Sequence, residues 1–202
     1  MLKRVLLLLL CGLLFTGCSS QPQLPQLLPD ATILAFGDSL TYGTGAGRDE
    51  SYPAVLSHLT GFKVVNAGVP GEVTSAGLAR LGEILEEVQP SLMILCHGGN
   101  DMLRKESMST AADNLRAMIR IARQQDVSVM LIAVPRPGLL LSPPDFYEQI
   151  ADEMNIPIER EVLSDILSKR SLKSDTIHPN SEGYSMMAEA VAHAMKESGL
   201  IR

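Results

Sequence analysis

The sequence predicts an α/β domain in which helices cover both faces of a parallel β-sheet, and three observations lead to this prediction. Short apolar or β-branched runs recur along the chain, and the segments between them carry apolar residues at helical spacing. The runs lack polar alternation, which is typical of strands buried between two layers. Polar, glycine-rich segments follow the runs, where parallel sheets hold their ligands. Together these patterns predict a three-layer α/β/α sandwich.

Four strands and four helices can be placed from these patterns. The first helix tolerates Pro53 in its opening turn, where a backbone N–H has no helical partner. Ser109 and Thr110 are candidate N-caps for the third helix, and Gly199 is a candidate C-cap for the last. The predicted strands are 32–36, 63–66, 92–96 and 127–134, and the predicted helices are 52–59, 78–88, one that includes 115–122 and one that includes 187–195.

Length and composition fit one domain. The chain has 202 residues, 46% of them apolar, which is enough to bury a single core. Its 17 basic and 23 acidic residues give a net charge of −6, which disfavours a nucleic-acid-binding protein because such proteins cluster Lys and Arg. The apolar fraction is too high for a disordered chain. The charge therefore predicts no nucleic-acid partner. Separately, we expect the protein to be a monomer.

The first residues have the pattern of a bacterial export signal. Lys3 and Arg4 precede an apolar run over 5–15, which is too short to span a bilayer comfortably. The run ends in Leu-Phe-Thr-Gly-Cys, which resembles a lipobox, the motif in which a cysteine becomes acylated and N-terminal. We therefore expect residues 1–17 to be a lipoprotein signal peptide and Cys18 to carry the lipid. A plain secretory signal is the alternative.

The segment 18–30 is expected to be a tether between the lipid and the domain at 31–202. After the lipidated cysteine it is rich in Pro and Gln and has no charge before Asp30, which is typical of an extended linker. Ser19 is not an acidic inner-membrane retention signal, so the expected location is the bacterial cell envelope, on the periplasmic face of the outer membrane. The membrane would then be a partner through the lipid anchor.

Processing would leave one free cysteine. Cys11 would leave with the signal peptide and the second cysteine would be acylated, so Cys96 could form no intramolecular disulfide. Because Cys96 lies in an apolar run, we interpret it as a small buried hydrophobic residue. Loss of two basic residues would change the net charge from −6 to −8.

Four polar segments stand in a particular order along the chain. Gly-Asp-Ser-Leu at 37–40, Asn-Ala-Gly at 66–68, Gly-Gly-Asn-Asp at 98–101 and Asp-Thr-Ile-His-Pro at 175–179 resemble the ordered blocks of the SGNH (GDSL) hydrolase family. The likeness covers 33–195 and is strongest to the thioesterase I, lysophospholipase L1 and arylesterase branch. The resemblance implies a flavodoxin-like fold with a five-stranded parallel sheet. It also implies ester hydrolysis by a Ser-His-Asp triad without a metal or an organic cofactor.

The residue types suit that chemistry. Ser39 follows a predicted strand, and its hydroxyl is a weak nucleophile that needs an adjacent base. His178 can accept that proton and return it to the leaving group. Asp175 precedes His178 by three residues, a spacing that on one helical turn lets the carboxylate orient the imidazole. Ser39, Asp175 and His178 are therefore the candidate catalytic residues.

Three donors are candidates for an oxyanion hole. They are the backbone N–H groups of Ser39 and Gly68 and the side-chain amide of Asn100. Glycine at position 68 allows the main chain to approach closely, and Gly98 and Gly99 allow the turn that presents Asn100.

The remaining polar residues near these segments are assigned supporting roles. We expect Asp38 to order the serine turn and Asp101 to cap the segment that follows it. His97 is expected to support its loop, with a place in the pocket as the alternative. His58 and His193 have no partner at metal-ligand spacing, so the histidines predict no metal site, and the resemblance implies no cofactor.

The substrate pocket is less clearly marked. Leu139, Leu140 and Leu141 lie in an apolar loop after the fourth strand, and Met102 could line the opposite wall. Such side chains favour an acyl or aryl ester, because ligand pockets are mostly apolar. The alternative is that these residues only pack the rim of the domain.

The sequence thus predicts a serine esterase that acts on small acyl or aryl esters, thioesters or lysophospholipids. Two alternatives stay open. The first is a carbohydrate or peptidoglycan O-acetyl esterase on the same triad. The second is a non-catalytic surface-binding lipoprotein, although the intact set of candidate residues argues against it.

Overall fold

The computed structural model of the protein describes residues 21–138 and 141–202. Its sheet has the strands β1 Thr32–Gly37, β2 Lys63–Gly68, β3 Leu92–Cys96, β4 Ser128–Ile132 and β5 Ile158–Glu159. All are parallel and lie in the order β2-β1-β3-β4-β5. The helices are α1 Ser39–Tyr42, α2 Tyr52–Thr60, α3 Thr74–Val88, α4 Gly99–Leu103, α5 Met108–Gln124, α6 Phe146–Met154, α7 Val162–Ser168 and α8 Ser181–Glu197.

The predicted three-layer α/β/α sandwich is confirmed. In one layer α8 packs against α2 and α7, and in the other α5 packs against α3 and α6. The sheet between the layers supplies much of the core, and every residue of β3 is buried. Cys96 is buried and forms no disulfide within the described residues. No helix in those two stretches is long and apolar enough to cross a membrane.

The strands agree with the predictions except at their ends and at the edges of the sheet. β3 has the predicted bounds, while β1 and β2 each extend to a glycine and β4 is shorter than predicted. β2 is an edge strand and is half-exposed, so the expectation that it is covered on both faces is wrong. β5 has only two residues, which is too short to leave a pattern in the sequence.

The predicted N-caps of α5 are also wrong. The helix begins at Met108, and its N-cap is Ser107, two residues before the first predicted cap. The Ser107 hydroxyl accepts a hydrogen bond from the N–H of Thr110, which is the usual cap geometry. Ser109 and Thr110 therefore lie inside the first turn. At the other end of the chain the C-cap of α8 is Ser198, so Gly199 lies one residue beyond its predicted cap position, where its φ of +75° ends the helix.

The segment expected to be a tether is docked on the domain from Gln21 onward. The Gln21 side-chain amide donates to the carbonyl of Ile158 and accepts from its N–H, so it pairs with the free edge of β5. The N–H of Leu24 donates to Ser198, and Leu27 is buried in the core. These contacts satisfy backbone groups at the sheet edge and at the end of α8. The described part of the predicted tether is therefore packed against the domain, and residues 18–20 lie outside the described residues.

Two adjacent leucines test this docking. Leu27 is 8% exposed and Leu28 is 70% exposed. We expect Leu27→Ala to lower the free energy of unfolding by about 1–3 kcal/mol, because it removes buried methyl groups. Leu28→Ala is the matched control and should change it by less than about 0.5 kcal/mol. Urea denaturation of the two variants checks the expectation, and equal stabilities would contradict the docked segment.

Candidate active site

The candidate site lies at the carboxyl edge of the sheet, where the topology changes direction. From β1 the chain continues to β2 on one side, and β3 lies on the other side of β1. Loops that leave such a point diverge and form a crevice, which is where α/β sheets bind ligands. Ser39 follows β1 and Asn100 follows β3, so the topology brings them to the same crevice.

The turn that carries Ser39 is tightly built. A Cβ atom on Gly37 would lie 2.0 Å from the carbonyl oxygen of Cys96, so only glycine allows β1 to end this close to β3. The next residue, Asp38, is the N-cap of α1, and its carboxylate accepts from the N–H of Leu40 at 3.0 Å. Asp38 therefore orders the serine turn as predicted. Ser39 begins the helix at the edge of the crevice.

The Asp38 carboxylate has a second partner in the site. It accepts a hydrogen bond from the side-chain amide of Asn100 at 3.2 Å. Burial raises the pKa of Asp38, and this effect is only partly offset by the charges of His97 and His178 and by the hydrogen bonds. Through its two hydrogen bonds, Asp38 joins the loop after β1 to the loop after β3.

The structure brings Ser39, His178 and Asp175 into one hydrogen-bonded row. The Nε2 atom of His178 lies 3.0 Å from Oγ of Ser39, and its Nδ1 atom lies 2.7 Å from Oδ2 of Asp175. In a neutral imidazole, Nδ1 then donates to Asp175 and Nε2 accepts from the Ser39 hydroxyl. This is the arrangement that activates a serine nucleophile.

Asp175 and His178 do not share a helical turn, so that part of the prediction is wrong. They lie in a loop before α8, closed by a short antiparallel bridge between Lys173 and Pro179. The second carboxylate oxygen of Asp175 accepts from the N–H groups of Ile177 and His178, each at 2.8 Å. The carboxylate thus fixes the loop and the imidazole together.

Those hydrogen bonds also set the charge of Asp175. Burial alone would raise its pKa, but the hydrogen bonds from the imidazole and the two N–H groups outweigh burial, so the pKa of Asp175 is lowered. The carboxylate is therefore ionised near neutral pH. Its negative charge stabilises the imidazolium that forms when His178 accepts a proton.

Asn100 presents its side chain to the crevice through a glycine turn. Gly98 has a φ of +108°, a conformation that glycine adopts without strain. The amide of Asn100 donates to the backbone oxygen of Glu72 at 3.0 Å as well as to Asp38. Two segments from different strand ends therefore hold this amide in place.

Of the two backbone N–H groups predicted for an oxyanion hole, only one is available. The N–H of Ser39 has no hydrogen-bond partner among the described residues. Gly68 contradicts the prediction, because its N–H donates to the side chain of Asn66 at 2.9 Å. A Cβ on Gly68 would lie 2.1 Å from the backbone nitrogen of Tyr42, so this glycine is needed for packing against α1.

Gly71, which is not among the predicted donors, is a better candidate for that backbone donor. Its N–H makes no hydrogen bond within residues 21–138 and 141–202, and its φ is +79°. It directly precedes Glu72, whose carbonyl oxygen binds the candidate amide donor of Asn100. The Val-Pro-Gly sequence at 69–71 marks a turn, but the turn alone does not reveal which N–H stays free.

The crevice is mostly apolar. Leu141 lines it, whereas Leu139 and Leu140 lie outside the described residues. Met102 does not line it, because its side chain packs against the core, and the neighbouring Leu103 lines the wall instead. The lining residues are Asp38, Ser39, Leu40, Gly99, Asn100, Leu103, Val134, Pro135, Pro137, Leu141, Leu167, Thr176, Ile177 and His178.

Of the two residues expected to support the loops, His97 has the predicted role and Asp101 does not. His97 is fully buried away from the crevice and bonds to Glu72, which agrees with loop support. Asp101 does not cap its own following segment, since its carboxylate accepts from the N–H and hydroxyl of Thr74 at the start of α3. In the described part of the chain, no group of three or more His, Cys, Asp or Glu could hold a metal ion.

Comparison with known proteins defines the class of this molecule. The model of the GDSL-like Lipase/Acylhydrolase family matches residues 35–186. The chain therefore belongs to this family, the GDSL/SGNH esterases. The fold agrees, because the esterase EstA of Pseudoalteromonas sp. superposes with a TM-score of 0.73 over 83% of this chain and 98% of EstA, at 24% identity.

Three relatives are similar in sequence. Esterase TesA of Pseudomonas aeruginosa is 32% identical over 131 residues, which cover 62% of this chain and 65% of TesA. An arylesterase of Vibrio mimicus is 28% identical over 81% of this chain and 87% of its own length. Thioesterase 1/protease 1/lysophospholipase L1 of Escherichia coli is 27% identical over 82% of this chain and 83% of its own length.

Glu72 makes the stability of the site depend on pH. Its burial alone would raise its pKa, but hydrogen bonds from His97 and Arg80 lower the pKa to about 2. Because the pKa is lower in the folded state, the ionised group stabilises the fold above about pH 4.5, and this stabilisation is lost as the pH falls toward 2.

We therefore expect Glu72→Gln to be less stable than the parent by about 1–3 kcal/mol at pH 6, and by clearly less at pH 3. Urea denaturation at the two pH values measures this difference. A difference that is the same at both values would show that the Glu72 carboxylate does not titrate as described.

Proposed function

We propose that the protein is a serine esterase with Ser39 as the nucleophile, His178 as the general base and acid, and Asp175 as the residue that orients His178. The observation that carries the proposal is the row of two hydrogen bonds, 3.0 Å from Ser39 to His178 and 2.7 Å from His178 to Asp175. Its position at the mouth of an apolar crevice supports the proposal, as does membership of an esterase family.

The reaction would proceed in two halves. Oγ of Ser39 attacks the carbonyl carbon of the ester while its proton passes to Nε2 of His178. The tetrahedral intermediate then expels the alcohol or thiol, which takes the proton from His178, and an acyl group stays on Ser39. A water molecule attacks this acyl group and gives a proton to His178. Collapse of the second intermediate releases the carboxylic acid and returns the proton to Ser39.

Each tetrahedral intermediate carries a negatively charged oxygen that needs donors. We assign this role to the backbone N–H groups of Ser39 and Gly71 and to the amide of Asn100. The two N–H groups have no other acceptor in the described part of the chain. The amide already has two acceptors, of which Asp38 at 3.2 Å is the more distant and can give way to a stronger acceptor. Donors of this kind contribute most in a crevice that excludes water.

The crevice favours an apolar acyl group. Leu40, Leu103 and Leu141 line it together with Leu167 and Ile177, so an acyl or aryl chain would bury apolar surface there. The names of the three relatives, esterase, arylesterase and thioesterase/lysophospholipase, support the same substrate classes. We therefore propose small acyl or aryl esters, thioesters and lysophospholipids as substrates.

We also propose a location for this activity. The lipobox at Cys18 would hold the domain on the periplasmic face of the outer membrane by a lipid. Gln21 is docked on the domain and follows Cys18 by three residues, so the lipid would be attached close to the domain surface. Substrates that reside in or near a membrane would then be close to the crevice.

Replacement of Ser39 tests the proposed nucleophile. With p-nitrophenyl esters of increasing acyl length, we expect Ser39→Ala to lower kcat by about 10³-fold or more on every ester, since no other group can form the acyl intermediate. Ser75→Ala is a matched control, because Ser75 is exposed on α3 and makes no side-chain hydrogen bond to the described residues.

The same panel distinguishes the substrate classes. Turnover of esters with acyl chains of about eight carbons is expected if the apolar crevice holds the acyl group. Activity restricted to acetyl esters would instead favour the O-acetyl esterase. Full activity of Ser39→Ala would rule out the mechanism, and an inactive parent on all esters would favour a non-catalytic binding protein.

A further inference from the structure

Three side chains behind the crevice form a cluster that the proposed reaction does not use directly. They are Glu72, Arg80 and His97, called here the Glu72 cluster. Glu72 is 9% exposed and His97 is fully buried, so both polar groups depend on partners inside the protein. Their partners lie on segments from three different strand ends.

Arg80 connects the Glu72 carboxylate to two of those ends. Its Nε and Nη2 atoms donate to the two carboxylate oxygens at 2.7 Å each, which is a bidentate pair. The same Nη2 atom donates to the carbonyl oxygen of Ala67 at 2.9 Å and approaches that of Gly37 at 3.3 Å. The guanidinium also lies 4.1 Å from the centre of the Phe36 ring. Glu72 is thereby fixed to the ends of β1 and β2.

His97 connects the same carboxylate to the end of β3. Its Nδ1 atom accepts from the N–H of Gly98, so the proton of a neutral imidazole is on Nε2, which donates to Glu72 at 3.2 Å. The ring fits only because α3 has a glycine beside it. A Cβ on Gly77 would lie 2.5 Å from Nε2 of His97.

The Glu72 cluster holds the segment 71–72, which carries one candidate oxyanion donor and binds the other, the Asn100 amide. The backbone oxygen of Glu72 accepts the Asn100 amide at 3.0 Å, and the free N–H of Gly71 belongs to the preceding residue. His97 precedes the turn that presents Asn100, so the cluster reaches that amide from both sides. A displaced Glu72 backbone would move both donors together.

We propose that Glu72, Arg80 and His97 are positioning residues that set the geometry of the oxyanion donors Gly71 and Asn100. This inference rests on the proposed esterase function. The cluster touches neither the substrate nor the reacting atoms, so it acts through the segment 71–72 and the amide. Because the charge on oxygen develops only in the transition state, a misplaced donor should lower kcat and leave KM nearly unchanged.

His97 offers a matched pair of variants. His97→Leu removes the donor to Glu72, while His97→Gln keeps an N–H that can reach the same carboxylate. We expect His97→Leu to lower kcat roughly 10- to 100-fold with KM within about twofold, because small displacements of catalytic donors cost this much. His97→Gln should recover most of kcat. His58→Leu is the control, since His58 is exposed on α2, and it should match the parent.

The outcomes separate positioning from general packing. If His97→Leu keeps kcat within about twofold of the parent, or if His97→Gln is no better than His97→Leu, the role of His97 as a donor is wrong. Should His97→Leu fail to fold, Arg80→Lys decides, because it keeps the charge but loses the bidentate pair. Lower kcat with unchanged KM in Arg80→Lys supports the proposal, and an unchanged kcat overturns it.

Ser39→Ala in the same assay keeps this test independent of the proposed function. An active Ser39→Ala would overturn the proposed function itself. An inactive Ser39→Ala together with a fully active His97→Leu would overturn only the positioning role.

Discussion

Asp38 is a carboxylate almost without exposure to solvent, and it accepts hydrogen bonds from two segments that only the folded sheet brings together. One bond fixes the N–H of Leu40 and so the turn that presents Ser39. The other reaches the amide of Asn100 on the loop after β3. The nucleophile and an oxyanion donor are thus held next to each other by one buried carboxylate, which would be costly to bury without hydrogen bonds. Gly37 makes this possible by letting the two strand ends meet.

Three carboxylates around the site have three different environments. Burial raises the pKa of Asp38, hydrogen bonds lower the pKa of Asp175, and hydrogen bonds from Arg80 and His97 lower that of Glu72 to about 2. The direction of each pKa shift depends on the hydrogen-bond partners of the carboxylate as well as on its burial. Asp38 joins loops, Asp175 orients an imidazole, and Glu72 ties three strand ends together. This separation of roles explains how an acidic chain can place three carboxylates near one serine.

Much of the fold could be predicted from sequence because its signals are local. β3 is a continuous apolar run, so its bounds are the predicted ones, and Ser39 and His178 meet because their segments lie at the same sheet edge. β5 is not predictable from the sequence, because two residues carry no periodicity.

The errors have a different physical origin, since they depend on which hydrogen-bond partner each group takes, some partners being local and others distant in sequence. Gly68 resembles a suitable donor in sequence, but the side chain of Asn66 occupies its N–H, and Gly71 is left free instead. Asp101 binds Thr74, which is 27 residues away, so no local rule predicts that it caps α3. The same holds for the docked segment at Gln21, whose partner Ile158 is 137 residues distant.

Covalent labelling tests the central claim most directly. A phosphonate ester that carries a good leaving group reacts with a serine only when a base activates it and donors hold the phosphonyl oxygen. Intact-mass measurement and peptide mapping of the full chain after such treatment should give a single phosphonyl group, on Ser39, at a rate that falls in His178→Ala. An unmodified Ser39, or labelling spread over other residues, would contradict the account.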